Sequence, residues 1–373
     1  MRNNHEVYFL LVAAVAFGIF IACGGGGGSS SGAAPGTFAY VTSYNSSSIS
    51  AYVMDPQSGT LTEVSGSPYA TSAGPSRPAV TPDGKFLYTA NFTDNNVSAF
   101  AIDPVTGQLS ELGGSPFPAP GGPFDLALEP AGKYLYTSNL GGVSTINGFS
   151  VNAATGALTA ISGSPFAASL DHQKLAIDPT GNYMYLTNFA DDVISAYAIS
   201  ASTGALTAVS GSPFAASDYP GSIAIDPSGR YAYVTNINSE NVTAYAVSAS
   251  TGALTALPGS PYATSTQPRL AVIHPAGTIL YVARYIDASV NAYAISGTTG
   301  ALTAVSGSPF ATSTWPYGLA FDPSGDYMGV VSFLNDGVNI YSIDTGNGVP
   351  SQVAGSPFPT VEEPSDIVIV QGN

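Results

Sequence analysis

Apolar and polar residues alternate with a period of two along most of this chain, and this pattern predicts β-strands. Residues 222 to 260 show one complete unit. It contains four such runs, at 222–226, 231–236, 242–248 and 253–260. Short turns rich in Gly and Pro separate the runs, as Pro227-Ser228-Gly229 and Thr251-Gly252 do here, and they are typical of tight hairpins. Each unit is therefore predicted to be a four-stranded antiparallel sheet.

The unit recurs along the whole chain after the first 36 residues. Gly-Ser-Pro followed by an aromatic residue occurs seven times, 48 or 49 residues apart, beginning at Gly66, Gly114, Gly163, Gly211, Gly259, Gly307 and Gly355. Four-stranded sheets repeated at this period are typical of the blades of a β-propeller. Proline is tolerated in a sheet mainly at an edge or a bulge, so the motif marks the outermost strand of each blade.

The two ends of the chain complement each other. The first unit lacks its innermost strand, whereas residues 364–370 at the other end align with the innermost strand 220–226. The C-terminal strand can thus complete the first blade and leave no free inner edge. We predict an all-β, seven-bladed propeller over residues 37–373 as one domain, made of four-stranded antiparallel blades.

The residues before the repeats predict export. An apolar stretch, Val7 to Ala22, is typical of a signal peptide over residues 1–22. Cys23 follows Phe20-Ile21-Ala22, which resembles the lipobox of bacterial lipoproteins, and residues 23–36 form a tether rich in Gly and Ser. The expected location is the bacterial cell envelope, in the periplasm or at the cell surface, with a lipid anchor in the membrane.

Composition excludes several classes of function. The formal net charge is -16 with only 9% charged residues, which argues against a nucleic-acid partner because such binding needs a basic surface. The repeats contain no Gly-x-Ser-x-Gly elbow, no phosphate-binding glycine loop, no paired cysteines and no His pair at metal spacing. We expect a monomer without cofactor or metal.

The few basic residues suggest where a site would lie. Arg77, Lys174 and Arg269 are at the entry of innermost strands, His172 lies just before one, and Arg284 ends a second strand. All five are predicted at one mouth of the central channel. They would suit a carboxylate, a polar sugar or the oxyanion of ester hydrolysis. Alternatively, the four Lys and Arg residues form ordinary surface ion pairs. Their partners would be Asp125, Asp171, Asp287 and Asp366.

Large apolar residues recur just after the second strand of every unit, at Tyr44, Phe92, Leu140, Phe189, Ile237, Tyr285 and Phe333. Packing between blades is the favoured interpretation of this position. A sugar-stacking rim, joined by Trp315 and Tyr317, is the alternative.

The repeats resemble the lactonase family of seven-bladed propellers, which includes 6-phosphogluconolactonase-like proteins. They are also similar to the Tyr-Val-Thr-Asn propeller repeat, present here as residues 233–236. Pro268-Arg269 matches the Pro-Arg pair at a strand entry of the family, but Leu270 stands where that family has His. The resemblance implies lactone hydrolysis at the channel mouth.

Two hypotheses follow. In the first, a water activated by His172, Asp125 or Asp366 attacks a lactone carbonyl, while Arg269 and Arg284 stabilise the oxyanion. Ligand binding is then assigned to Arg77, Asp125, Lys174 and Asp366. In the second, the propeller is a non-catalytic cell-surface binding or scaffold protein that recognises a glycan or a protein.

Overall fold

A computed structural model describes residues 36–140, 144–168, 172–334 and 336–372, without the side chains of residues 172 and 173. The predicted signal peptide, Cys23 and nearly all of the tether lie outside the described residues. In these ranges the secondary structure is all β, and no helix is long and apolar enough to cross a membrane.

The strands follow one another in seven similar sets. The first three sets are β1 (Thr37–Ser43), β2 (Ser48–Met54), β3 (Leu61–Glu63), β4 (Tyr69–Ala70); β5 (Pro75–Val80), β6 (Phe86–Asn91), β7 (Asn96–Ile102), β8 (Leu109–Glu111), β9 (Phe117–Pro118); and β10 (Pro123–Leu128), β11 (Tyr134–Asn139), β12 (Thr145–Val151), β13 (Leu158–Ala160), β14 (Phe166–Ala167). The next two are β15 (His172–Ile177), β16 (Tyr183–Asn188), β17 (Val193–Ile199), β18 (Leu206–Ala208), β19 (Phe214–Ala215); and β20 (Pro220–Ile225), β21 (Tyr231–Asn236), β22 (Asn241–Val247), β23 (Leu254–Ala256), β24 (Tyr262–Ala263). The last are β25 (Pro268–Ile273), β26 (Ile279–Arg284), β27 (Ser289–Ile295), β28 (Leu302–Ala304), β29 (Phe310–Ala311); and β30 (Pro316–Phe321), β31 (Tyr327–Ser332), β32 (Gly337–Ile343), β33 (Pro350–Gln352), β34 (Phe358–Pro359), followed by β35 (Pro364–Gln371).

Each set is one antiparallel blade, and we number the blades 1 to 7 from β1 onwards. The innermost strands of blades 2 to 7 are β5, β10, β15, β20, β25 and β30. In blade 1 that place is taken by β35, which pairs antiparallel with β1 from Thr37↔Gln371 to Thr42↔Asp366. The Ser365 hydroxyl lies 3.1 Å from the carbonyl oxygen of Thr42 and 3.0 Å from that of Pro75, in blade 2, and can donate to either. The predicted ring closure is confirmed.

The Gly-Ser-Pro motif lies at the outer edge, as predicted, and divides the fourth strand of each blade into two short pieces that both pair with the third strand. The serine hydroxyl bridges this interruption by accepting a hydrogen bond from a backbone amide of the third strand. The contact occurs in all seven blades at 2.8 to 3.0 Å, with Ala51, Ala99, Gly148, Ala196, Ala244, Ala292 and Ile340 as donors. The motif therefore satisfies an amide that would otherwise lose its partner.

The apolar core lies between the blades. Seven clusters each combine residues of two neighbouring blades, and each contains one aromatic side chain of the third strand. A second set of contacts joins the same blades: buried second-strand tyrosines donate to turn-glycine carbonyls of the next blade at 2.7 to 2.9 Å. The pairs are Tyr40–Gly107, Tyr88–Gly156, Tyr136–Gly204, Tyr185–Gly252, Tyr233–Gly300 and Tyr281–Gly348. Apolar packing and hydrogen bonds thus fix the blades around the channel.

Candidate active site

The innermost strands all begin at one face of the ring, which we call the mouth, and each carries a β-bulge near its first residue. A bulge can redirect a side chain, and functional residues often lie beside one. The third residues of these strands are, in order around the channel, Asp366, Arg77, Asp125, Lys174, Ser222, Leu270 and Gly318. The four charged residues therefore belong to four consecutive blades and alternate in sign.

Asp125 is the centre of this charged group and is fully buried. Its carboxylate accepts hydrogen bonds from Arg77 Nη1 and Lys174 Nζ, both at 3.3 Å, and from the Leu175 amide at 2.8 Å. Burial alone would raise the pKa of this carboxyl. The charges of Lys174 and Arg77, together with the Leu175 amide, outweigh burial and hold the pKa below its ordinary value. Asp125 is therefore an anion that orients two cations.

Lys174 connects the two carboxylates. Its Nζ lies 3.3 Å from Asp125 Oδ1 and 3.6 Å from Asp366 Oδ2, and its side chain is largely buried. The ammonium also lies 5.9 Å from the centre of the Phe124 ring, within the range of a cation–π contact. The lysine thus joins blades 1, 3 and 4 within the channel.

Arg77 is the more accessible cation, with 37% of its side chain exposed. The negative charge of Asp125 is the main reason that its pKa lies above the ordinary value, so the guanidinium stays charged. Hydrogen bonds to Asp125 use Nη1. Since a guanidinium carries five N–H donors in a planar fork, Arg77 can donate to a ligand while still paired with Asp125.

Asp366 is the carboxylate that lines the cavity at the mouth. Its Oδ1 accepts a hydrogen bond from the Ile367 amide at 2.9 Å, and Oδ2 faces Lys174. Gly318 of blade 7 packs against its backbone: a Cβ at residue 318 would lie 2.7 Å from Asp366 Cα. Three contacts therefore fix the position of the Asp366 carboxylate. They are the Ile367 amide, the Lys174 ammonium and the close approach of the Gly318 backbone.

The cavity has a volume of about 300 Å³ and mostly apolar walls above the charged group. Phe124 and Tyr317 come from innermost strands. The other large apolar and aromatic wall side chains are Tyr44, Phe92, Leu140 and Phe333. These four follow second strands, where packing between blades was the favoured interpretation. The two interpretations are compatible, since the Phe92 ring also contacts Phe124 of the neighbouring blade, with centroids 6.3 Å apart. The recurrence of apolar residues at this position was the signal for the wall.

Arg269 lies beside this cavity and does not line it. The residue is the second of its innermost strand, where the bulge occurs. Its guanidinium stacks over Tyr317 at 4.2 Å and Tyr285 at 5.2 Å, and Nη2 donates to the Tyr317 hydroxyl at 2.7 Å. Among the described residues no carboxylate lies within 4.0 Å of it. Arg269 therefore reaches the site through Tyr317.

Arg284 is not brought into the cavity. Its side chain is buried and forms an ion pair with Asp287 in the following turn, so it is engaged within its own blade. Burial lowers its pKa below the ordinary value. The structure does not favour an oxyanion role for this arginine. His172 begins β15 with its backbone paired to Asn188, and its side chain lies outside the described residues, as does Asp171.

The predicted local ion pairs are found only in part. Arg284 pairs with Asp287 as expected, whereas Arg77 and Lys174 pair across blades with Asp125. In the ranges that the structure describes, no group of three or more His, Cys, Asp or Glu side chains is arranged to hold a metal ion.

A family model described as "Lactonase, 7-bladed beta-propeller" matches residues 32–124, 122–267 and 257–369. The chain belongs to this lactonase family. No curated protein matches it in sequence.

Solved structures agree in fold with this lactonase-family chain. A candidate 6-phosphogluconolactonase from Bacteroides uniformis shares 20% identity with a TM-score of 0.78, covering 90% of this chain and 100% of that one. A second candidate 6-phosphogluconolactonase, from Bacteroides fragilis, shares 22% identity with a TM-score of 0.76, covering 92% and 100%. The periplasmic gluconolactonase of Pseudomonas aeruginosa shares 20% identity with a TM-score of 0.74, covering 90% and 99%. At these identities the likeness shows the fold.

This lactonase-family propeller departs from the family pattern at the third residue of the innermost strand of blade 6. Leu270, which stands where the resemblance places a His, is the third residue of its strand and is buried. The charged side chains occupy the same position in blades 1 to 4 instead.

Proposed function

We propose that this protein hydrolyses a lactone ester at the mouth of its channel. The observation that carries the proposal is the group of Asp366, Arg77, Asp125 and Lys174 at the base of an apolar cavity of about 300 Å³. Membership of the lactonase family supports this reaction class. The volume of the cavity is in the range expected for a small-molecule site. Its lining also fits such a site, because it is mostly apolar with a few convergent polar groups.

Asp366 is the proposed general base. It lines the cavity, and its Oδ2 has Lys174 at 3.6 Å, beyond the usual length of a hydrogen bond. A water held by Oδ2 would give its proton to the carboxylate as its oxygen attacks the lactone carbonyl carbon. Asp125 is unsuited to this step because it is fully buried and accepts from two cations and an amide. We assign Asp125 the positioning of Arg77 and Lys174.

Arg77 is the proposed oxyanion partner. Attack converts the carbonyl oxygen to an anion, which the free N–H donors of the guanidinium would stabilise at the wall of the cavity. When the intermediate collapses, the ring C–O bond breaks, and the leaving alkoxide takes the proton from Asp366. The product is a hydroxy acid, and the carboxylate is regenerated. His172 and Arg269 remain proposed contributors at the rim, from blades 4 and 6.

We also propose that the protein acts outside the cytoplasm, anchored through Cys23. The leader, the lipobox-like segment and the Gly/Ser tether support export, as does the name of the periplasmic neighbour. A non-phosphorylated lactone is the better substrate there. The residues that line the cavity support this choice, because Arg77 and Lys174 are already paired with two carboxylates and add no net positive charge for a phosphate.

The test is to assay the full-length protein in detergent against a panel of lactones, following acid release at constant pH, beside Arg77→Gln. Hydrolysis by the wild type that falls about 100-fold in Arg77→Gln supports the assigned oxyanion role. Hydrolysis unaffected by this change removes Arg77 from the mechanism.

A non-catalytic binding protein is the second candidate function. The observation in its favour is Leu270 at the position of the family His. If the protein binds lactones or glycans in the cavity but hydrolyses no member of the panel, this second function replaces the first.

A further inference from the structure

We propose that the mouth at blades 6 and 7 holds a subsite for an apolar substituent of the substrate, so that the preferred lactone carries an aryl or alkyl group. This inference rests on the proposed function for the lactone head group. The subsite itself is argued from four aromatic side chains, Trp315, Tyr285, Tyr317 and Phe333, which we call the aromatic track.

The rings of the aromatic track contact one another in series. The Trp315 and Tyr285 centroids are 4.7 Å apart, those of Tyr285 and Tyr317 6.3 Å, and those of Tyr317 and Phe333 5.6 Å. These separations are those of interacting aromatic pairs. Tyr317 and Phe333 line the cavity, whereas Tyr285 and Trp315 lie beyond it. The track therefore extends from the wall of the cavity to aromatic residues beside it in blades 6 and 7.

Arg269 stabilises the middle of the track. Its guanidinium lies over the Tyr285 and Tyr317 rings and donates a hydrogen bond to the Tyr317 hydroxyl. Both rings are thus held in place before a ligand arrives, which lowers the entropy lost on binding.

The backbone at Trp315 is the second observation. Its φ is 55°, in the left-handed region that favours glycine. The residue before the innermost strand has a positive φ in the other described blades too, where it is Gly74, Gly122, Tyr219, Gln267 or Glu363. A bulky residue there costs about 1–2 kcal/mol. The chain nevertheless places its single tryptophan at this position. The positive φ belongs to the fold, and blade 7 differs from the other blades in presenting the large Trp315 ring there, stacked on Tyr285.

The surroundings of the track favour an apolar occupant. Ile286 and Leu334, which directly follow Tyr285 and Phe333, are 54% and 52% exposed. They are two of three large apolar side chains with such exposure in the described part of the chain. The charged groups of the cavity are paired with one another, so the track adds affinity through apolar contact.

Blade 5 supplies a matched control. Tyr219 occupies the same backbone position with a φ of 59°, and its ring centroid lies 4.8 Å from that of Phe189 on blade 4. This pair repeats the geometry of Trp315 on Tyr285, but neither ring lines the cavity. Tyr219→Ala therefore removes an equivalent stacked aromatic residue away from the track.

The experiment titrates the full-length protein with two lactams, which replace the ester oxygen by nitrogen and resist hydrolysis: 2-pyrrolidinone and its 5-phenyl derivative. Because Trp315 is the only tryptophan, its fluorescence reports occupation of the track. We expect the phenyl lactam to bind at least about tenfold more tightly and to change the emission of Trp315. Calorimetry should show that Trp315→Ala and Tyr285→Ala abolish this preference while Tyr219→Ala keeps it.

Four results would overturn the subsite. The first two are no binding of either lactam and equal affinity for both. The others are an equal loss of the preference for the phenyl lactam in Tyr219→Ala, and tighter binding of a 5-carboxy or polyhydroxy lactam than of the phenyl lactam. A measured preference for the phenyl lactam without hydrolysis of any lactone would contradict the proposed function and leave the subsite standing.

Discussion

Lys174 Nζ lies 3.3 Å from Asp125 Oδ1, although 49 residues separate the two in the chain. This contact crosses from blade 4 to blade 3, because consecutive blades place their innermost strands side by side around the channel. It forms part of the network that also holds Arg77, so the charge of Asp125 determines how both cations face the cavity.

Removing that charge should destabilise the fold. Asp125→Asn keeps the shape of the side chain but leaves Arg77 and Lys174 near each other with Asp366 as the one remaining carboxylate of the group. We expect a loss of about 3 kcal/mol in the free energy of unfolding, measured by urea denaturation at pH 7. Asp83→Asn is the control, since the Asp83–Lys85 pair is exposed and its loss should cost less than about 1 kcal/mol. Equal losses of stability in Asp125→Asn and Asp83→Asn would contradict the claim that the charge of Asp125 holds Arg77 and Lys174.

The difference in stability between the wild type and Asp125→Asn should depend on pH. The pKa of Asp125 lies below its ordinary value in the folded state. Its contribution to stability is therefore complete above the unfolded pKa, about 3.9, and is lost as the pH falls through the lower, folded value. Wild type and Asp125→Asn should converge in stability at acid pH. A difference that stays constant from pH 7 to pH 2 would show that the carboxylate charge is not responsible.

The repeated serine can be tested in a single blade. In Ser212→Ala the Ala196 amide loses its acceptor, and we expect a loss of about 1 kcal/mol in the free energy of unfolding. Ser210→Ala, two residues earlier at an exposed position, should change stability by less than about 0.5 kcal/mol. Thermal unfolding of both variants provides the measurement, and indistinguishable curves would refute the bridging role.

Gly318 should be needed for activity as well as for packing. A methyl group at this residue would meet the backbone of Asp366, and backbone cannot yield as a flexible side chain does. Gly318→Ala should destabilise the protein by about 1–3 kcal/mol and reduce lactone hydrolysis by displacing Asp366. Gly113→Ala, where a Cβ would meet no atom within 4 Å, should alter neither property. Full activity in Gly318→Ala would show that the position of Asp366 is not critical.

The sequence was sufficient to predict the architecture because the fold repeats. One Gly-Ser-Pro per blade gives the number of blades, and the missing first strand predicts the closure by β35, which the pairing of β1 with β35 confirms. The role of the serine hydroxyl was not visible, since its partner is a backbone amide on another strand. The second-strand tyrosines were also missed as contacts between blades, because their acceptors are carbonyls 67 or 68 residues away.

The site was less predictable. Alignment of the repeats placed Arg77 and Lys174 at one mouth, since residues at one register position share one height in a closed ring, and the structure brings both beside Asp125 and Asp366. Pairing across blades depends on side-chain length and on the bulges, which alignment does not show. For the same reason the sequence did not separate Arg284, engaged by Asp287 three residues on, from Arg77, which reaches the cavity.

The most direct test of the proposed mechanism is the turnover number of Asp366→Asn on the best lactone of the panel. The amide cannot accept a proton at neutral pH but has nearly the same size. We predict a fall in kcat of about 100-fold or more with an unchanged KM, measured well below the Tm, which the lost contact with Lys174 should lower. A kcat within twofold of the wild type, in a folded variant, would contradict the claim that Asp366 activates the attacking water.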